Sequence, residues 1–432
     1  MANQTNLCDA RSNRRFLLFH LLWIIASVVL VASTWRLWVG TDQFPQIPLL
    51  SVFVGTPIWI DYVALGLAAA ATLLMIAALI GGSRGKYGEA SASIPRRLRL
   101  SSLVWAASLL ILFLTNQHRL QPWAWQFFLF AMLVGISPTK KSTLAASRVV
   151  VVSIYLWSAI GKFDFQFLNG LGRQFAAAIT DMIGLSVAAE NISPWAVSLM
   201  PAGELLVGVL LIFSTTRKLG VVAAIGLHLG LVAILGPWGM DHHLGVVIWN
   251  PVFALISAIA FWPPRKQADC QAEPFSLSRI STKYTLTIVF TAIVVGLPLY
   301  SAWDHWLAWG LYSPNNRRCT LKLMVTPDQD IDETLQPFLV PVETEFIGGL
   351  DVLKFDMGRM SLEMLDAPIY PEARMQLGVA HWVKQRFKLP ASTIVSIEGK
   401  SDRFTGARDT KTIEPTQSGD QQLPFFFNHL PR

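Results

Sequence analysis

Long apolar runs broken by short polar stretches fill the first 303 residues: 16–36, 59–81, 99–115, 121–137, 146–163, 196–214, 218–237, 244–262 and 284–303. Most approach the roughly 20 residues that cross a hydrocarbon core. The pattern predicts an all-α polytopic membrane bundle of about nine transmembrane helices. The fourth run, 121–137, is short. Gly and Pro inside several runs are compatible with lipid, because neighbouring helices satisfy the freed backbone groups.

Beyond about residue 304 the pattern changes. Segments 319–326 and 349–356 alternate like half-buried strands. Pro368 and Pro371 bracket a turn, and 371–388 carries a helical apolar pattern through Met375, Leu377, Val379, Ala380 and Val383. Residues 392–398 read as a further strand. The expected organisation is a basic arm (1–15), the bundle (16–303), a small α+β domain (304–399) and a polar, flexible tail (400–432).

Composition agrees with lipid. Hydrophobic residues make up 53% and charged residues only 15%, against about 25% charged in soluble domains. Many of the 16 Trp lie near the ends of apolar runs, where indoles settle at a membrane boundary. The net charge of +7 does not imply nucleic-acid binding, because the Lys and Arg residues form short clusters between apolar runs. The three cysteines, Cys8, Cys270 and Cys319, fit neither a metal spacing nor a disulfide framework, and no metal site is expected.

Those basic clusters alternate. Arg11, Arg14 and Arg15 precede the first run, and Arg84, Lys86, Arg96, Arg97 and Arg99 follow the second. Lys140, Lys141 and Arg148 follow the fourth, Arg217 and Lys218 the sixth, and Arg265, Lys266, Arg279 and Lys283 the eighth. The other connections carry little beyond Arg36, Arg119 and Arg173. The positive-inside rule then places the N-terminus in the cytoplasm and the C-terminal domain outside an inner or plasma membrane. A cleaved signal peptide is the rival reading of 1–36, but that apolar stretch is long and no small-residue cleavage site follows it.

Ionisable groups inside spans are costly and mark candidate sites. Tyr155, Ser158 and Lys162 share one face of the fifth span. Lys162 is either a snorkelling lysine or a general base, since desolvation disfavours a charged amine. Glu204 lies two turns into the sixth span, where it needs an interhelical partner or a proton. His228, in the middle of the seventh, lies between Gly226 and Gly230, which would let helices approach closely. A histidine there serves either catalysis or an interhelical hydrogen bond. Asp164, the Gln117–His118 pair, the His242–His243 pair and Asn250 beside Pro251 complete the candidates. For the 116–119 and 239–243 clusters the plainer reading is a solvated turn. Together these groups predict an outward-opening polar cavity, reached from water or laterally from lipid.

The stretch from Tyr155 to Gly170, with Gly161-Lys162-Phe163-Asp164 and Phe167-Leu168-Asn169-Gly170, resembles the lysine motif of the HTTM (horizontally transferred transmembrane) family. That family includes the vitamin K-dependent gamma-carboxylase, and the likeness extends over about 10–305 in the order of its spans. It implies that Lys162 is a base acting on a quinol, and that a quinone or quinol is the cofactor. The C-terminal region is much shorter than the carboxylase's substrate-binding part and does not resemble it, so peptide carboxylation is not implied. The Glu204 segment, through Thr215-Thr216-Arg217-Lys218, resembles the DoxX/MauE group of small membrane proteins, which implies quinone or thiol redox partners. Two functions follow: a quinol- or lipid-handling membrane protein with Lys162 as base, or a non-catalytic anchor presenting its C-terminal domain to an exported protein partner. A transporter is the weakest reading, because no inverted repeat is visible and the polar groups gather on one side.

Overall fold

The computed structural model describes residues 2–84, 92–263, 282–299, 303–326, 331–347, 350–389, 392–413, 425 and 427–432. Among the described residues, eight helices are long and apolar enough to cross a membrane: α1 (Ala2–Ser33), α3 (Trp59–Arg84), α4 (Arg96–Thr115), α6 (Lys140–Lys162), α8 (Pro194–Ile212), α9 (Arg217–Leu235), α10 (Leu244–Phe261) and α11 (Thr282–Gly296), the last running on through a 3-10 turn to Leu299. A short α2 (Trp35–Val39) follows α1, α5 (Pro122–Ile136) lies between α4 and α6, and α7 (Gly172–Met182) lies between α6 and α8. The chain is therefore an integral membrane protein with a helical bundle.

α5 is the short fourth run. Its 15 residues rise only about 22 Å at 1.5 Å each, less than the roughly 30 Å of hydrocarbon. It tolerates that shortfall because protein surrounds it. Trp123, Phe127, Phe130 and Val134 are buried, as are Phe128, Leu129 and Leu133 on other faces. A helix that is apolar all round belongs inside a bundle.

The basic clusters meet at one end of the bundle. The Lys140 ammonium donates to Asn13 Oδ1 at 3.1 Å, Arg15 Nη2 to Trp262 O at 2.5 Å and Arg148 Nε to Ala260 O at 2.7 Å. Arg99 Nη1 donates to Gly135 O at 2.9 Å and Ser137 O at 2.8 Å. Lys86, Arg265, Lys266 and Arg279 lie outside the described residues, as does Cys270.

At the other end a five-stranded antiparallel sheet forms from β1 (Arg318–Val325), β2 (Leu339–Ile347), β3 (Leu350–Phe355), β4 (Ile394–Glu398) and β5 (Thr410–Ile413), in the order β2-β3-β1-β4-β5. α12 (Met357–Leu365) and α13 (Ala373–Arg386) accompany it. β1 alternates buried and open positions, and α13 buries Met375, Leu377, Val379, Ala380 and Val383. The sequence pattern anticipates β1, β3, α13 and β4. β2 and β5 carry Pro341 and polar Thr410-Lys411-Thr412, which hides their strand character. Within 400–432, read from sequence as a tail, β5 closes the sheet, and Asn428 and Arg432 reach back to the bundle.

Candidate functional site

Helices α5 to α10, two connecting segments and part of the sheet unit border a cavity of about 790 Å³. Tyr155, Ser158 and Lys162 enter it from α6, Glu204 from α8, His228 from α9 and Asn250 from α10. His242 and His243 line it from the α9–α10 connection, and Tyr312 from the 303–314 segment. Phe175 and Ile179 of α7 and Pro368 of the sheet unit add apolar wall.

Two polar groups stand in this wall. In the first, Lys162 Nζ donates to Glu204 Oε2 at 2.5 Å and to Ser158 Oγ at 2.6 Å. The lysine therefore does not snorkel: it is 8% exposed and holds an ion pair between α6 and α8. Gly208, one turn beyond Glu204, makes this reach possible. A Cβ there would stand 2.8 Å from Leu156 Cδ2 and 3.2 Å from Tyr155 Cβ, so glycine lets α8 lie this close to α6 without displacing those side chains.

In the second, the Tyr155 hydroxyl lies 2.8 Å from His228 Nε2 and 3.0 Å from Ser257 Oγ, and His228 Nδ1 lies 2.9 Å from Asn250 Oδ1. Asn250 Nδ2 donates to Val246 O at 3.0 Å, which leaves Oδ1 as the acceptor. That assignment puts the imidazole proton on Nδ1 and makes Nε2 the acceptor of the Tyr155 O–H. The chain Ser257–Tyr155–His228–Asn250 then runs in one direction across α6, α9 and α10. Ser257 escapes sequence reading because a lone serine in an apolar helix looks ordinary. Its position seven residues after Asn250, on the same helix face, is the signal that marks it.

Gly226 and Gly230 do not bring helices together. A Cβ at either meets nothing within 4 Å, and both line the cavity. Their missing side chains leave room beside His228.

Three candidates stand elsewhere. Asp164 caps the turn after α6: its Oδ1 accepts from Gln166 N at 2.9 Å, and burial raises its carboxyl above the ordinary value. Gln117 and His118 are not in a solvated turn. Both are fully buried in the seam between bundle and sheet unit. Gln117 Nε2 donates to Asn428 O at 3.1 Å and Pro48 O at 3.3 Å, and His118 Nε2 lies 2.9 Å from Pro368 O and 3.2 Å from Ser361 Oγ. Burial pushes the His118 imidazole down to about 4. The apolar flanks in sequence do not reveal that a second unit covers this turn.

At the mouth, burial lowers the His242 imidazole and pushes His243 down to about 4, so both are neutral near pH 7. His243 Nδ1 accepts from Gly245 N at 3.3 Å and caps α10, a structural duty. His305, which the sequence pattern assigns to no role, lies in the covering segment; its Nε2 lies 2.7 Å from Ser313 O, and burial pushes it down to about 4. Among the described residues no three His, Cys, Asp or Glu side chains gather as metal ligands.

A sequence model of a family described as methylamine utilisation protein MauE matches residues 140–263. That stretch runs from α6 to α10 and carries Tyr155, Ser158, Lys162, Glu204, His228, His242, His243 and Asn250. No curated protein and no solved structure matches the chain. The chain is thus a polytopic membrane protein whose cavity-bearing helices are similar to MauE.

Proposed function

We propose that the cavity binds a lipid-soluble, quinol-type ring, with Lys162 and Glu204 acting together as its base. The observation that carries this reading is the convergence of Lys162, Glu204, Ser158, Tyr155, His228 and Asn250 on one largely apolar cavity. Apolar walls with a few convergent polar groups are the usual form of a small-molecule site. An ionised pair at 2.5 Å offers a carboxylate to accept the proton of a ring hydroxyl. The ring oxyanion that forms is then held against the remaining ammonium. The proton moves from ring oxygen to carboxylate, and no electron is transferred in that step. The resemblance of the Lys162 segment to the HTTM motif, and of α6–α10 to MauE, supports a membrane-soluble partner of this kind.

The N-terminal arm faces the cytoplasm in this proposal, and the sheet unit, about residues 304–399, lies outside. The gathering of basic residues at the arm's end of the bundle supports that orientation. A reporter enzyme active only outside the cytoplasm, fused after Arg432, is expected to be active; silence of that fusion beside an active one at Lys141 reverses the orientation.

The binding test is a titration of the purified protein in detergent with decylubiquinone. Lys162→Ala is expected to weaken binding at least about tenfold, the size of one charge-assisted hydrogen bond. Equal affinity in wild type and variant would remove Lys162 from the site. No binding by either protein would favour the anchor reading.

A further inference from the structure

The segment 303–314 covers the cavity under unusual constraint. Asp304 takes a two-pronged ion pair from Arg374, and its Oδ2 accepts from the Tyr370 hydroxyl at 2.7 Å. Glu372 Oε1 accepts from His305 N at 2.7 Å, and Arg408 Nη2 donates to Pro314 O at 2.5 Å. Between these anchors two bulky residues take left-handed backbone, Trp309 at φ 60° and Tyr312 at φ 57°. Outside glycine that conformation is strained, and it persists only where the surroundings enforce it.

The strain delivers one side chain to the cavity. The Tyr312 ring stands edge-on to Phe175 at 5.3 Å and lies over His242 at 6.2 Å, which fixes its plane. Its hydroxyl is buried and, among the described residues, has no hydrogen-bond partner. A buried hydroxyl left unpaired costs free energy that a partner recovers. The other tyrosine of the cavity, Tyr155, has two partners for the same group.

We propose that the Tyr312 hydroxyl donates a hydrogen bond to an oxygen of the bound ring, making it a specificity-determining residue for ligands that carry a carbonyl-type acceptor. This assignment rests on the ring-binding reading above and deepens it. A bound ring that reaches Tyr312 shares the cavity with the Lys162–Glu204 and Tyr155–His228 groups. A hydrocarbon of the same length gains nothing from Tyr312.

The test compares wild type with Tyr312→Phe in detergent, by calorimetric titration with decylubiquinone and with decylbenzene, and by melting of the ligand-free proteins. Tyr312→Phe is expected to bind decylubiquinone about five- to tenfold more weakly and decylbenzene equally. Its ligand-free melting temperature should be unchanged or higher, because the substitution removes only an unpaired group. Equal decylubiquinone affinity in both proteins overturns the assignment while leaving the cavity reading intact. An equal loss for both probes, or a lowered melting temperature, also overturns it, because the hydroxyl would then be supporting the cavity wall. Failure of wild type to bind decylubiquinone overturns the cavity reading, and this assignment with it.

Discussion

Two buried ion pairs join elements of this bundle, and they do different work. Arg119 and Asp61 are both fully buried at 3.0 Å. Arg119 spends its whole guanidinium: Nε on Leu37 O, Nη1 on Thr115 Oγ1, and Nη2 on Trp38 O and Asp61. Arg432 adds a second cation to Asp61 at 2.7 Å. Lys162 and Glu204 are paired more tightly, at 2.5 Å, yet keep 10% and 16% of their side chains open and border the cavity. Burial and pairing alone therefore do not mark a site. The difference is the space beside the pair: a guanidinium with every donor engaged holds structure, whereas an ammonium facing a cavity is available to a ligand.

That contrast breaks first at Arg119. Arg119→Ala leaves Asp61 in a protein-filled seam, and removing one partner of a buried pair costs about 3–5 kcal/mol. The expected outcome is loss of monodisperse folded protein in detergent, followed by size-exclusion chromatography and melting. Retained stability would mean that Arg432 alone satisfies Asp61.

Lys162→Ala sharpens the other half. The cavity can admit water to Glu204, so the stability loss should be near 1 kcal/mol, the scale of an ordinary hydrogen bond. The loss in decylubiquinone affinity should instead be tenfold or more. A stability loss as large as that of Arg119→Ala would make this pair structural as well. Tyr155→Phe should fall between the two pairs in character. It removes the bonds to His228 and Ser257 and is expected to cost about 1–2 kcal/mol by chemical denaturation. No loss would show that His228 and Ser257 re-pair without it.

The seam should also show a pH dependence. The His118 imidazole takes up a proton near 4 in the folded protein and near 6.5 when unfolded. Between those values the unfolded chain binds more protons, so His118's contribution is complete above 6.5 and declines as pH falls towards 4. Melting of wild type against His118→Gln from pH 7.5 to 5 should show a gap that narrows on acidification. A constant gap would mean that His118 titrates alike in both states.

Much of this was legible in the chain. Apolar runs of span length, separated by alternating basic clusters, dictate a helical bundle because lipid leaves a backbone few other ways to satisfy its hydrogen bonds. Lys162, Glu204, His228 and Asn250 stood out for the same reason: each is expensive in hydrocarbon, so its presence requires a cause. The face shared by Tyr155, Ser158 and Lys162 follows from helix period alone.

Tertiary structure decided what those groups meet. No local pattern tells that Glu204 reaches Lys162 because Gly208 admits α8 to α6, or that Gly226 and Gly230 open space instead of closing it. The sequence also could not separate Gln117 and His118 from the cavity, because their burial comes from residues about 250 and 311 positions away. Tyr312 was invisible for a related reason. Its place over the cavity depends on anchors at Asp304, Glu372 and Arg408, which only the packing of the sheet unit on the bundle brings together. Helix formation and membrane insertion are set by local composition. Which polar group is spent on structure and which faces open space is set by contacts between distant segments.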